Sequence, residues 1–331
     1  MLCVLVYSKN GAVKAMFSSL HRLRIIGLLL AILVLASLVT LLIFRHPPSP
    51  PQSTTANYSL QTVTYCSPEN VPQLMDIYTP TNASSNAPLP VVEMVHGGSW
   101  QSGSKATINT IDPVPEVPET ILGLLAQGFV VTSINYRLAP QDQFPANIED
   151  VKCSIRYLRA HAAQYHIDPH RIGLMGSSAG GHLVSLAGLA GPDAGWDVGE
   201  YADQSSTVQA VVDMFGPEYI AADYAIPAIF GSAPNAFVAA SPPTYIAQTP
   251  NTDPPFLILQ GDKDTTVPPD QSLRFYNQLL VAGQPAILQM VQNAGHEFVH
   301  RGNAIFPSAD QISTMIINFF LKYLAVRTPP R

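Results

Sequence analysis

The chain has 331 residues, with 17 Lys+Arg against 23 Asp+Glu, a formal charge of −6, 47% hydrophobic residues, 12% charged residues and 3 Cys. That length accommodates one large domain or two ordinary ones, with ample material for a buried core. The acidic balance argues against a nucleic-acid surface, and three Cys without a CxxC exclude a disulfide-stapled miniprotein and disfavour a structural zinc site.

The charge is unevenly placed. Residues 1–46 carry Lys9, Lys14, Arg22, Arg24 and Arg45 and no acid, for +5, which leaves 12 basic and 23 acidic groups, or −11, in the other 285 residues. Between Arg24 and Arg45 the twenty residues Ile25–Phe44 read IIGLLLAILVLASLVTLLIF without a charge. At about 1.5 Å per residue they make a helix about 30 Å long, the thickness of a hydrocarbon core. A cleavable signal peptide has an apolar region of about 7–15 residues ending in small residues, whereas this run is longer and ends Leu-Leu-Ile-Phe-Arg. The expectation is an uncleaved signal anchor at 25–44, with secretion after cleavage as the alternative. Four positive residues before the span and one after it predict a cytoplasmic basic tail at 1–24 and an exported body. A linker at 45–57 follows, with four prolines in His46–Thr55 that favour an extended tether. The folded domain is expected at 58–331. In an oxidising compartment Cys66 and Cys153 are candidates to pair, and Asn57-Tyr-Ser59 and Asn82-Ala-Ser84 match the glycosylation triplet.

Further along, the predicted strands are Gln61–Cys66, Gln73–Tyr78, Pro90–His96, Phe129–Asn135, Ile172–Gly176, Val208–Met214, Phe256–Gln260 and Ala286–Val291. The predicted helices are Pro118–Ala126, Ile148–Gln164, Ala179–Leu189, Pro269–Ala282 and Ala309–Ala325. The runs VVEMVH, FVVTSIN, IGLMG and FLILQ are almost wholly apolar, as parallel strands buried on both faces are. Their alternation with helices predicts a layered α/β domain. The stretch 191–250, rich in Ala, Pro and Gly, is expected to be partly an insertion over the active face.

Gly176-Ser177-Ser178-Ala179-Gly180 is a G-x-S-x-G directly between a strand pattern and a helix pattern, the context a nucleophile elbow requires. A sharp turn there holds the central serine in a strained conformation, and side chains two residues to either side would collide. Ser178 is therefore the candidate nucleophile. His96-Gly97-Gly98-Ser99-Trp100 follows a buried strand and offers closely spaced N–H groups for an oxyanion, with the N–H of Ala179 as the other donor. A nucleophile, acid and base in that chain order, each on a loop after a strand, are met by Ser178, then Asp262 or Asp264 in GDKDTTVP at 261–268, then His296 in AGHEF at 294–298.

Together with Met75-Asp-Ile-Tyr78, Asn135-Tyr-Arg-Leu-Ala-Pro140, Phe144-Pro-Ala146 and Ile167-Asp-Pro169, these segments resemble the α/β-hydrolase serine esterases of the hormone-sensitive-lipase and BD-FAE-like groups. The resemblance covers the chain from about Tyr58 onward. It implies an α/β-hydrolase fold with a mostly parallel eight-stranded sheet flanked by helices, and ester hydrolysis on small-molecule substrates through an acyl-enzyme, with no metal or organic cofactor. It also implies Asp264 rather than Asp262 as the acid, His296 as the base, and Gly98 and Ser99 as the donors beside Ala179. Many such relatives carry a third glycine where this chain has Ser99, and a Cβ there costs about 1 kcal/mol if φ is positive. His182 is expected only to start a helix, His300 to lie at the surface or in a lid, and His96 to shape the oxyanion loop. Trp100 is either a pocket wall or a packed aromatic. An amidase, arylformamidase or peptidase would share the same triad. A membrane-tethered binding protein on a retired scaffold would show a broken triad. Oligomeric state is not legible in the sequence.

Overall fold

The computed structural model describes residues 57–81, 87–106, 116–224, 226–249 and 252–325. The predicted tail, anchor and nearly all of the linker lie outside these residues, as do Cys3 and Asn82. Among the described residues no helix is long and apolar enough to cross a membrane.

One sheet organises the chain. Its strands are β1 (Tyr58–Cys66), β2 (Gln73–Pro80), β3 (Leu89–Val95), β4 (Val130–Ile134), β5 (Ile167–Ser177), β6 (Ala210–Met214), β7 (Phe256–Gly261) and β8 (Ala286–Val291), in spatial order β1-β2-β4-β3-β5-β6-β7-β8. The β1–β2 and β2–β4 pairs are antiparallel, and every pair from β4 through β3 to β8 is parallel. The long helices are α1 (Glu116–Ala126), α2 (Ala146–Ala160), α3 (Ala179–Leu189), α4 (Asp270–Val281) and α5 (Ala309–Leu324).

The period-2 geometry of the strands sends alternate side chains to opposite faces. Val91, Val95, Val130, Ile134, Leu174 and Ile258 face one core, shared with Val151 and Ile155 of α2, Leu183 and Leu186 of α3 and Phe275 and Leu279 of α4. Val92, Met94, Val131, Met175, Val212 and Leu257 face the other, against Ile121, Leu124 and Leu125 of α1 and Ile312, Ile316 and Phe320 of α5. Both faces of the central strands are thereby covered, which is why their sequences show no polar alternation.

Helix α2 ends four residues earlier than its pattern predicts. At its end the N–H of His161 still donates to the Tyr157 carbonyl at 3.0 Å, but that of Ala162 donates to Arg159, and the chain turns into β5 through His166 at φ 55°. The apolar residues that extend the helical pattern, Ala162 and Tyr165, are buried in this turn instead. Strand β5 conversely begins at Ile167, five residues earlier than predicted. Within 191–250 lie β6, the single-turn helices Ile220–Asp223, Pro227–Phe230 and Ala236–Ala239, and 3-10 turns at Pro192–Ala194 and Pro242–Tyr245.

Cys66, at the end of β1, is disulfide-bonded to Cys153 on α2, with 6.5 Å between their Cα atoms and 87 residues between them in sequence. A few residues away on the same helix, Asp150 accepts from the backbone N–H of Arg137 at 2.8 Å and from its guanidinium Nε at 3.0 Å. Asn57 is exposed.

Candidate active site

Four loops converge where parallel strands end at their C-terminal edge, the edge that open α/β sheets use for ligands. Strand β5 delivers Ser178, which sits at φ 54°, ψ −120° just before α3. A non-glycine residue holds that conformation only when its surroundings impose it. Here the Ser178 N–H donates to the Met214 carbonyl at 2.9 Å, and the Ser178 carbonyl accepts from the His182 N–H at 3.0 Å. The flanking glycines have a steric reason. A Cβ on Gly176 would overlap the Gly180 carbonyl, and one on Gly180 would overlap the carbonyl of Val95 at the end of β3.

The His96–Trp100 loop lies directly beside this elbow. A Cβ on Gly97 would come within 2.9 Å of the Ser177 carbonyl oxygen and 3.4 Å of Ser178 Cβ. Gly98, Ser99 and Trp100 all have positive φ, at 105°, 54° and 59°. The Gly98 carbonyl accepts from the N–H groups of Gln101 and Ser102, each at 3.0 Å, and this closes the loop. Ala179 opens α3, so its N–H belongs to the first-turn donors that have no intrahelical acceptor. His96 does not reach Ser178. Its ring stacks on Tyr136 at 4.2 Å and its Nδ1–H donates to the Gly97 carbonyl at 2.7 Å. Burial pushes this imidazole down to about 4, which keeps it neutral at ordinary pH.

Strand β7 leads to Asp264 and β8 to His296. The His296 Nδ1–H donates to Asp264 Oδ2 at 2.8 Å, and His296 Nε2 faces the Ser178 hydroxyl at 3.0 Å. Asp264 is buried, and its other oxygen, Oδ1, accepts from the N–H groups of Thr266 at 2.8 Å and Val267 at 2.9 Å. Gln260 Nε2–H adds a bond at 3.2 Å to the oxygen that His296 uses. The carboxylate is thus fixed by donors on both oxygens and free to serve only His296. Asp262 is exposed instead, and accepts from the Ala294 N–H at 3.3 Å. His300 is exposed as well.

Two contacts escaped the sequence, and Trp100 takes the packed one of its two expected roles. Trp100 is a packed aromatic: it is buried, meets Phe230 edge-on at 5.0 Å, and donates its Nε1–H to Nδ1 of His182 at 3.1 Å. His182 in turn donates Nε2–H to the Ala240 carbonyl at 2.6 Å. His182 therefore ties together the glycine-rich loop, α3 and the 191–250 segment. Phe215, just after β6 and at φ 46°, packs edge-on against the His296 ring at 4.9 Å. Neither contact has a local sequence signature, because each joins residues far apart in the chain. Among the described residues no group of His, Cys, Asp and Glu is arranged to hold a metal ion.

A mostly parallel eight-stranded sheet, a strained serine at the β5–α3 turn, and an acid and a histidine after the last two strands define an α/β-hydrolase. The chain belongs to the BD-FAE family, whose model matches residues 75–279. Among curated proteins it is 31% identical to Esterase LipC of Mycobacterium tuberculosis over 242 residues, covering 68% of this chain and 57% of LipC. It is 30% identical to Esterase LipQ of the same organism, covering 68% of this chain and 54% of LipQ. The chain spans about half the length of the curated relatives it matches. Among solved structures, a truncated carbohydrate esterase from gut microbiota superposes with TM-score 0.66 at 30% identity, covering 83% of this chain and 99% of that one. The propionate-bound esterase Est2 of the Planctomycetes species Thermogutta terrifontis superposes with TM-score 0.65 at 25% identity, covering 86% and 100%.

Proposed function

We propose that this protein hydrolyses carboxylic esters of small molecules through an acyl-serine intermediate. The observation that carries this reading is the continuous chain from Ser178 Oγ to His296 at 3.0 Å and from His296 to Asp264 at 2.8 Å. His296 Nε2 takes the hydroxyl proton as Ser178 Oγ bonds to the ester carbonyl carbon, and Asp264 steadies the imidazolium. The N–H groups of Gly98, Ser99 and Ala179 receive the oxyanion. Collapse of that intermediate breaks the ester C–O bond, and the departing alcohol takes the proton from His296. A water then repeats the sequence on the acyl-enzyme, releasing the acid and restoring Ser178. Membership of the BD-FAE family and relatives named as esterases support the same reaction. Ser178→Ala, purified and folded, is expected to lose cleavage of p-nitrophenyl acetate by at least ~10³-fold; cleavage at the wild-type rate refutes the assignment. A series of p-nitrophenyl esters of increasing chain length, with acetylated and feruloylated sugars, then defines the substrate.

We also infer that the catalytic domain lies outside the cytoplasm, held by Ile25–Phe44. The +4 charge before a twenty-residue apolar run, against +1 just after it, supports it, as does the Cys66–Cys153 bond, since such bonds persist chiefly in oxidising compartments. Protease added to intact cells is expected to remove the domain while leaving a membrane-bound N-terminal fragment. Full protection of the domain overturns this placement.

A further inference from the structure

Behind the nucleophile elbow lie two acidic side chains that the triad does not use. Asp213, on β6, and Glu218, in the loop after it, are both fully buried. Asp213 stands opposite Gly176 in the β5–β6 register, and its Oδ1 accepts from the Gly216 N–H at 2.9 Å. Two glycines make room for the pair. A Cβ on Gly181, in the first turn of α3, would overlap Asp213 Oδ1, and one on Gly216 would come within 2.5 Å of that oxygen and 2.8 Å of Glu218 Oε1.

Asp213 Oδ2 and both carboxyl oxygens of Glu218 have no donor in hydrogen-bonding geometry. The two carboxyls instead border the same space at Gly216 and act on each other across it. Two acceptors in contact repel unless a proton lies between them, and two buried carboxylates cannot both stay charged. The surroundings supply no countercharge: the Ser185 hydroxyl of α3 acts on Glu218, Tyr219 lies in the loop, the His182 backbone nitrogen borders Gly216, and Gln271 of α4 holds the loop backbone. Among the described residues no lysine or arginine acts on either carboxyl.

The loop between the two acids touches both ends of the proposed proton relay. The Met214 carbonyl holds the Ser178 N–H, and Phe215 packs on the ring of His296. At its far end the N–H groups of Glu218 and Tyr219 both donate to Gln271 Oε1 at 2.9 Å, which fixes the loop to the helix that follows the Asp264 turn.

We propose that Asp213 and Glu218 share one proton and act as positioning residues, clamping the 214–218 loop so that Ser178 and His296 stay in register. The proposal rests on the reading of Ser178 and His296 as nucleophile and base. Burial raises both carboxyls, and the charge of Asp213 raises Glu218 further, so the pair holds its proton above the usual carboxylate range and releases it as one coupled unit as pH rises. Losing it leaves two negative charges in a closed site and opens the clamp. The alkaline loss therefore falls on kcat, with KM little changed.

The test compares the wild-type protein with Glu218→Gln, whose amide N–H is a permanent substitute for the shared proton, and Glu218→Ala, which supplies none. Glu218→Ala is expected to lower kcat for p-nitrophenyl acetate about tenfold with KM nearly unchanged, and Glu218→Gln to restore most of it and to move the alkaline limb of kcat up by about one pH unit or more. An alkaline limb identical in Glu218→Gln and wild type overturns the proposal, as does wild-type kcat in Glu218→Ala. If these variants do not fold, infrared spectroscopy on Glu93→Gln, which removes the other buried glutamate, decides. A protonated-carboxyl band at neutral pH that fades in parallel with kcat in alkali supports the shared proton, and its absence refutes it. A protein that cleaves no ester at all refutes the hydrolase reading instead, and the infrared band then still reports on the pair.

Discussion

The indole N–H of Trp100 donates to Nδ1 of His182 at 3.1 Å, joining the loop after β3 to the helix that starts just after Ser178. Because indole can only donate, His182 Nδ1 must accept, and its proton sits on Nε2, where it bonds to Ala240. Trp100→Phe keeps the ring but strands a buried acceptor, which costs about 1–3 kcal/mol. The expected outcome is a lower unfolding temperature and a kcat reduced about three- to tenfold, read by thermal melts and ester kinetics. Unchanged values in both show that the bond positions nothing.

His182 also sets an acid limit. Burial lowers its pKa to about 4, so it is neutral in the folded protein above that value. A folded pKa below the unfolded one, about 6.5 for histidine, means that the folded state resists protonation. Stability from this group is full above about pH 6.5 and falls as pH drops toward 4. His182→Asn, which keeps a donor and an acceptor, is expected to flatten the decline in unfolding temperature between about pH 6 and pH 4; an unaltered decline assigns it to other groups.

Glu93 gives the opposite dependence. Ser154 Oγ lies 2.6 Å from Glu93 Oε1 and 2.7 Å from the Val151 carbonyl. The Ser154 hydroxyl donates to Glu93 Oε1 or to the Val151 carbonyl, so its one proton satisfies neither acceptor fully. Burial raises Glu93 to about 8, above its unfolded value, so its contribution to stability is full below about pH 4.5 and is lost as pH rises through 8. Glu93→Gln is expected to remove a loss on the order of 1 kcal/mol per pH unit across that window, measured by urea unfolding at several pH values. Parallel curves for the two proteins reject the buried neutral acid.

Ser99 is exposed and held at φ 54°. Ser99→Gly relieves the left-handed strain at a partly offsetting entropic cost, for a net gain of about 0.5–1 kcal/mol in denaturant unfolding. A loss of stability instead indicates that the serine side chain makes a compensating bond.

The Cys66–Cys153 bond closes an 87-residue separation. Reducing it, or Cys153→Ser, is expected to lower stability by about 2–4 kcal/mol, seen as a shift of the urea midpoint with and without reductant. A mass spectrum under non-reducing conditions that retains both thiols removes the premise.

Much of this protein is legible in its sequence because the signals are local. Almost wholly apolar runs such as VVEMV and FLILQ mark strands covered on both faces, and G-x-S-x-G placed between strand and helix patterns marks a turn that only small neighbours permit. Residue order brought Ser178 and His296 forward but left Asp262 and Asp264 open, since both follow β7 within three residues. Tertiary structure separates them: Asp264 is buried with four N–H donors around it, while Asp262 faces solvent. The Trp100–His182 bond, the Phe215–His296 packing and the Asp213–Glu218 pair also needed the fold, because burial and proton sharing depend on what a side chain meets across the sheet. Local pattern determined the elements and their order; long-range packing decided which acid meets His296, which acids are buried away from it, and which histidine reaches Ser178.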